Sequence, residues 1–315
     1  MFAAGMLCAK NTAKNEKLQA AVGQAMQGRA GALVVAEVET GDVVAAQGME
    51  LAARRVARPG STMKPFVLLA LLDAGKVDAE QKLVCRRVVR IGGVKMDCTH
   101  TAAVTELNAE EALAYSCNSY FAEVATRLSG AELAQALRRA GLDTPSGFVK
   151  EEATGHIETA RDRELLQLEA LGDRGVEVTP LELLAAYRKL ALQKRNGAGA
   201  VGETSAEGGA SPALAGAREG EGKIEKDAAV FAGLEASVAY GMAHAASVEG
   251  LRIAGKTGTA ASRGNARQHG FFAGYAPAEK PEIVLVVYVE QGHGADAAAA
   301  AQSVFAEFAK EGRGK

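Results

Sequence analysis

The stretch LRIAGKTGTAASRGNARQHGFFAGYAPAEKPEIVLVVYVE, residues 251–290, decides the architecture. It reads as three strands, Leu251–Ala260, Gly270–Tyr275 and Ile283–Glu290. At the other end of the chain, Ala32–Val38 and Val43–Ala46 flank Thr40-Gly41-Asp42, two apolar runs about a short glycine-containing turn, which reads as a β-hairpin. The two ends therefore have to pair to complete one sheet. Between them, from about 75 to 195, apolar residues recur at helical spacing, as in Glu106–Leu128 and Ala131–Ala140. A further helix opens at Thr179-Pro180 and runs through Leu192, with Thr179 as N-cap and Pro180 at the first helical position. The expectation is an α+β fold: an antiparallel sheet flanked by helices, with an inserted all-helical lobe. A cleft between such lobes is a usual place for a site.

The boundaries follow. Residues 1–14 read as a tail, the sheet lobe as about 15–74 and 224–315, and the helical lobe as about 75–223. Residues 195–223, rich in Gly, Ala, Ser and Glu without apolar period, read as a flexible loop within that lobe. Helices are expected over 15–28, with Leu18, Val22, Ala25 and Met26 on one face, and over 61–72, 228–246 and 295–310.

Composition bounds the function. The chain has 315 residues, 48% hydrophobic, and a formal net charge of -2. That is long enough for one large core or two lobes, and so balanced a charge implies no nucleic-acid partner. There is no Trp and 5% aromatic content, which suits a substrate held by polar and backbone contacts better than a long carbohydrate cleft. Apolar runs such as Phe66–Leu72 fall short of the ~18–20 residues of a membrane span. Met1–Ala9 is apolar but has no basic residue before it, a poor signal peptide. Membrane attachment is expected only through an anchor or signal removed from, or outside, this stretch. The cysteines are Cys8, Cys85, Cys98 and Cys117, without a Cys-x-x-Cys pair. The five histidines show no zinc-ligand spacing, so no metal site is expected. A Cys85–Cys98 disulfide and two unpaired thiols both stay open.

Three short segments carry chemistry. In Ser61-Thr62-Met63-Lys64, positions i and i+3 share a helix face, so hydroxyl and amine sit side by side at a helix start. The helix N-terminus favours negative charge developing near Ser61. A serine hydroxyl needs a neighbouring base, and a lysine becomes one when burial or a second cation lowers its pKa. In Ser116-Cys117-Asn118 the two polar side chains do not share a helix face, and reach one cleft more easily from a helix junction. In Lys256-Thr257-Gly258-Thr259 strand alternation puts Lys256 and Gly258 on one face, Thr257 and Thr259 on the other. A regular strand does not aim Lys256 and Thr257 at one ligand; a twist or bulge would be needed. Gly258 lets a ligand backbone approach closely. Each tetrapeptide or tripeptide alone is weak; their order in three distinct elements is the signal.

Here the chain resembles the penicillin-binding transpeptidases, which share a fold with serine β-lactamases. The resemblance spans the hairpin at 31–46, Arg58–Phe66, Tyr115–Phe121, Val178-Thr179-Pro180-Leu181, Ala254–Ala260 and Gly270–Tyr275. It implies a D,D-transpeptidase that forms an acyl-enzyme on Ser61 from D-Ala-D-Ala stem peptides, cross-links cell wall and binds β-lactams covalently. It further implies Lys64 as base, Ser116 as proton relay and Asn118 as ligand of a substrate amide. Lys256, Thr257 and Thr259 would surround the substrate carboxylate, with Gly258 between them. Backbone N–H groups of Ser61 and Thr259 would form the oxyanion hole. No cofactor is needed; the implied partners are stem peptides, β-lactams and a glycosyltransferase, and the implied location is outside the cytoplasmic membrane. Gly172-Asp173-Arg174-Gly175 departs from the family's Gly-Gln-Gly. A class D-like β-lactamase or β-lactam sensor is the first alternative, against which Asn118 and the absent Trp speak; a catalytically silent scaffold is the second. Outside these segments, His269 and His293 read as solvated loop histidines and Arg86, Arg87 and Arg90 as a solvated face. Asp97 and Glu106 read as unpaired.

Overall fold

The structure, a computed structural model, describes residues 2–200, 227–261 and 267–312. A five-stranded antiparallel sheet is built from both ends of the chain. β1 (Gly31–Glu37) and β2 (Val43–Gln47) come from the first hairpin; β3 (Ala254–Ala261), β4 (Gln268–Ala276) and β5 (Ile283–Val289) follow some 200 residues later, in the order β2-β1-β5-β4-β3. β5 is central and every residue of it is buried. Its uninterrupted Ile-Val-Leu-Val-Val-Tyr-Val has no polar position because helices cover both faces of the sheet there. It pairs from Gly31↔Val289 to Glu37↔Ile283 with β1, and from Gly270↔Val289 to Ala276↔Ile283 with β4.

Strand alternation divides the core in two. One face carries Leu33, Val35, Phe272, Leu285 and Val287 against Leu18, Val22 and Met26 of the N-terminal segment and Val304 and Phe305 near the C-terminus. The helices there are α1 (Phe2–Ala25) and α10 (Gly294–Gly312). The face expected at Leu18, Val22, Ala25 and Met26 is thus the buried one. The helix itself starts at Phe2, inside the stretch expected to be a tail, and ends at Ala25 before a turn. The other face carries Ala32, Val34, Phe271, Ala273 and Val286, continuous with the apolar interior of the inserted lobe. α8 (Pro180–Ala200), expected within that lobe, packs on β1, β4 and β5 and forms the sheet's second cover. It is opened by Thr179 and Glu182, which bond each other's backbone N–H groups in a capping box. Because α8 continues to Ala200, the loop expected from 195 begins later; its remainder from 201 lies outside the described residues.

The remaining helices are α2 (Met49–Arg54), α3 (Lys64–Asp73), α4 (Ala109–Ala114), α5 (Asn118–Ala125), α6 (Gly130–Ala140), α7 (Arg163–Ala170) and α9 over 227–239. The helix expected over 228–246 stops early, and His244–Ala246 forms a separate 3-10 turn. The inserted lobe also holds short two-residue ladders, such as Arg90–Ile91 with Val94–Lys95 and Leu83–Val84 with Glu106–Leu107. Among the described residues no helix is long and apolar enough to cross a membrane.

Candidate active site

The turn before α3 is tied down from four sides. Gly60–Met63 is a 3-10 turn leading into α3, and Ser61 within it is half-buried. Gly60 has φ of +56°, and a Cβ there would lie 2.7 Å from the Thr259 carbonyl oxygen, so only glycine fits. Its N–H donates to the Gly172 oxygen at 3.0 Å. Gly172, at φ +71°, approaches so closely that its own Cβ would stand 2.0 Å from the Gly60 oxygen. The Thr62 hydroxyl donates to the Pro59 oxygen at 2.8 Å, and the Tyr187 hydroxyl donates to the Thr62 oxygen at 3.0 Å. His269 Nε2 lies 2.8 Å from the Arg58 oxygen, so that nitrogen carries the proton and donates.

Lys64, one position past this turn, is fully buried. Its Nζ donates to the Ser116 backbone oxygen at 2.7 Å and to Asn118 Oδ1 at 2.6 Å, and stands 3.2 Å from Ser116 Oγ. Asn118 Nδ2 donates to the Met96 oxygen at 3.0 Å, which orients the amide with Oδ1 toward the amine. Burial lowers the Lys64 pKa to about 8, against smaller opposing pulls from Cys117 and Cys98. A neutral amine has two N–H donors for the two amide-type oxygens, which leaves its lone pair free to accept from a hydroxyl.

Ser116 and Asn118 reach Lys64 because the long helix suggested by 106–128 is broken. α4 ends at Ala114, Ser116 takes φ of +53°, and α5 starts at Asn118. A non-glycine residue in the left-handed region is locally costly, by about 1–3 kcal/mol, and is held here by Ser116 N–H to Leu113 O and Cys117 N–H to Ala112 O. The junction anticipated for the Ser-Cys-Asn segment is therefore present.

β3 brings the third segment to the same turn, pairing with β4 from Ala261↔Gln268 to Ala254↔Tyr275 without a bulge. Lys256 and Gly258 face the helical side: Lys256 is fully buried, and a Cβ on Gly258 would meet the Pro59 oxygen at 2.2 Å. Burial, and then the charge of Lys64, hold the Lys256 pKa well below its usual value. Its hydrogen bond among the described residues goes to the Thr257 oxygen at 3.3 Å. Thr257 and Thr259 point the other way, toward the start of α10. The Thr257 hydroxyl stands 3.4 Å from the Met242 oxygen, and the Thr259 hydroxyl accepts from Gly294 N–H at 2.9 Å. The structure thus gathers Ser61, Lys64, Ser116, Asn118, Lys256 and Gly258 about one turn. It leaves the two threonine hydroxyls on the opposite face of the strand, with the Thr259 backbone against Gly60.

The model of the penicillin binding protein transpeptidase domain matches residues 31–310. The chain belongs to that family. This transpeptidase-family domain is 27% identical over 252 residues to the peptidoglycan D,D-transpeptidase PbpA of Mycobacterium tuberculosis, covering 74% of this chain and 50% of that protein. It is 28% identical over 292 residues to the probable peptidoglycan D,D-transpeptidase PenA of Neisseria meningitidis, covering 84% and 48%. It thus spans about half the length of these curated relatives. Among solved structures, the D,D-transpeptidase domain of a peptidoglycan glycosyltransferase from Eggerthella lenta superposes with a TM-score of 0.76 at 22% identity, covering 95% of this chain and 82% of that one. The transpeptidase domain of Burkholderia pseudomallei penicillin-binding protein 3 gives 0.75 at 21%, covering 96% and 94%. The α+β architecture read from the sequence is the fold of these domains.

Several residues of this transpeptidase domain differ from their sequence expectations. His269 is buried on β4 rather than solvated, and burial lowers its pKa. His293 is exposed, as expected. Arg87 donates to the His100 and Thr101 oxygens, and Arg90 pairs with Asp97, which also accepts from Val89 N–H at 2.9 Å. Gly172-Asp173-Arg174-Gly175 supplies the brace under Gly60, with Asp173 3.8 Å from Arg58. The cysteines bear on a further expectation. The Cys85 and Cys98 sulfurs are 3.6 Å apart and unbonded. With Cys117 and His100 they form a buried group of four metal-type donors where no metal site was expected. Four donors spread over 33 residues at irregular intervals leave no signature in a linear search.

Proposed function

We propose that this domain is a serine D,D-transpeptidase of peptidoglycan, acting on D-Ala-D-Ala stem peptides outside the cytoplasmic membrane. The observation that carries this is the Lys64 amine: fully buried, with its pKa lowered, and bonded to Ser116 and Asn118 one turn from Ser61. In the first step Ser61 Oγ attacks the carbonyl between the terminal D-alanines and passes its proton to neutral Lys64. The C–N bond breaks, an ester forms on Ser61, and the proton travels through Ser116 Oγ to the leaving amine. In the second step an amine of a neighbouring stem peptide attacks the ester and forms the cross-link; water in its place gives carboxypeptidase action. Backbone N–H groups of Ser61 and Thr259 supply the oxyanion hole, and Lys256 the charge for the terminal carboxylate. β3 is an edge strand, so an extended stem peptide finds backbone groups to pair with beside Ser61. The orientation of Thr257 and Thr259 favours Lys256 over the two hydroxyls for carboxylate binding.

Intact-mass measurement after exposure to a penicillin tests this. The wild type gains the mass of one β-lactam and Ser61→Ala gains none. A folded wild-type protein that takes up no adduct refutes the proposal and favours a scaffold, whereas rapid sustained hydrolysis of a chromogenic cephalosporin favours a β-lactamase.

A further inference from the structure

The Cys85, Cys98, Cys117 and His100 side chains are all buried. The three sulfurs form a nearly regular triangle: Cys85–Cys98 3.6 Å, Cys98–Cys117 3.7 Å and Cys117–Cys85 3.5 Å. His100 Nε2 lies 3.4 Å from the Cys85 sulfur, and all four donors fall within 4.8 Å of one another. A tetrahedral zinc ion with its usual bond lengths demands about 3.8 Å between sulfurs and about 3.5 Å between sulfur and nitrogen. The three sulfur–sulfur edges and the Cys85–His100 edge are close to those of that figure, while a disulfide needs sulfurs about 2 Å apart.

The surroundings suit an ion as well. His100 Nδ1 stands 3.1 Å from the Thr101 oxygen, so Nδ1 is the donor and Nε2 is left as the bare nitrogen facing the sulfurs, the usual arrangement of a ligating histidine. The Arg87 guanidinium holds the His100 and Thr101 oxygens and so fixes that segment. Backbone N–H groups of Ser119 and Tyr120, in the first turn of α5, donate to the Cys98 and Cys117 sulfurs at 3.3 and 3.5 Å. Such donors favour the thiolate that a metal requires. Three free thiols in mutual contact are also prone to pair outside the cytoplasm, where the proposed function puts this domain; ligation protects them.

We infer that Cys85, Cys98, His100 and Cys117 hold one zinc ion, and that this ion positions Ser116 and Asn118. Cys117 stands between those two residues in the chain, at the strained junction of α4 and α5. Anchoring its sulfur to an ion that also grips the 85–100 segment fixes the backbone from which Ser116 and Asn118 reach Lys64. The same segment presents the Met96 oxygen to Asn118 Nδ2, so the ion ties both partners of that amide together. The ion is structural: three thiolates and one imidazole close its tetrahedron, with no position for substrate.

Zinc is measured directly in the 315-residue protein purified and dialysed without reductant, and thiols are counted after denaturation, again without reductant. The inference expects about one zinc per chain, three thiols from the cluster and no disulfide among them. Cobalt in place of zinc gives the absorption of a tetrahedral thiolate centre, and Cys98→Ser and His100→Ala lower metal content. Ser61→Ala, which tests the proposed function, retains the metal, so the two readings fail separately. Should the cluster variants not fold, mercurial titration of wild type with a zinc indicator releases the ion in step with the thiols. Less than about a tenth of an equivalent of zinc from zinc-supplemented cells, or a disulfide between Cys85 and Cys98, overturns the site. Stripping the ion from folded protein slows β-lactam acylation about tenfold to a hundredfold, and added zinc restores it; an unchanged rate with the metal gone overturns the positioning role.

Discussion

Gly172→Ala is a stringent test of how the turn carrying Ser61, the proposed nucleophile, is held. The new methyl would lie 2.0 Å from the Gly60 oxygen and 2.6 Å from its carbonyl carbon, whereas real Cβ atoms essentially never come within 3.0 Å. The two backbones must therefore part by about 1 Å, and a displacement of that size next to a reacting group costs about 10²-fold in rate. Alanine at φ +71° adds about 1–2 kcal/mol of backbone strain. Gly75→Ala separates the two effects: it has a similar φ of +63° but nothing within 4 Å of its Cβ. Acylation by a fluorescent penicillin, followed as a second-order rate constant, and thermal melting are measured for both variants. Gly75→Ala should lose about 1 kcal/mol of stability and acylate like wild type. Gly172→Ala should lose stability and about 10²-fold in acylation. A Gly172→Ala protein that acylates at the wild-type rate would show that the Gly172–Gly60 contact does not hold the turn.

Further outcomes follow from the same residues. Because the Lys64 pKa is lowered to about 8 and its neutral form is the proposed base, acylation should rise about fifty-fold from pH 6 to pH 8 and level off above; a flat profile over that range excludes Lys64 as base. Lys256→Met replaces a buried amine with an apolar chain of similar length; it should raise stability by about 1–3 kcal/mol while slowing acylation at least about tenfold, and melting curves with acylation rates report both. Glu169, fully buried under Gly175, has its pKa raised to about 8, first by burial and then by Glu158. Its neutral form is the one the fold prefers, so its stabilising contribution is complete below pH 4.5 and is lost as pH rises through about 8. Glu169→Gln should therefore flatten the fall in melting temperature between pH 5 and pH 9, and an identical slope in both proteins rejects that assignment.

Much of this was legible in residue order. The strands at 254–289 declare themselves through apolar runs, and Leu18, Val22 and Met26 through helical spacing. Alternation along Lys256-Thr257-Gly258-Thr259 already put the threonines on the far face, and β3 runs without the bulge that would bring them round. The remaining features depend on distance in space rather than along the chain. His269 sits in a strand whose neighbours are apolar, and only the fold shows that the Arg58 oxygen waits opposite its ring. Asp97 gains Arg90 because a two-residue ladder folds 90–95 back on itself, too short a pattern to stand out. Gly172 looks like any turn glycine until Gly60 is found against it. The sulfur cluster needs three loops to converge.

The pairing of β1 with β5 carries a consequence for biogenesis. Gly31 meets Val289, so the first hairpin emerges from the ribosome long before its neighbour exists. Until residues 283–289 are made, β1 has an open edge and an uncovered apolar face, a hazard for edge-to-edge association. Non-local closure of this kind is slow. A chaperone that shields strand edges would therefore act on residues 31–37 before any other part of the sheet, and truncation before Ile283 would leave a polypeptide that aggregates rather than a smaller stable domain.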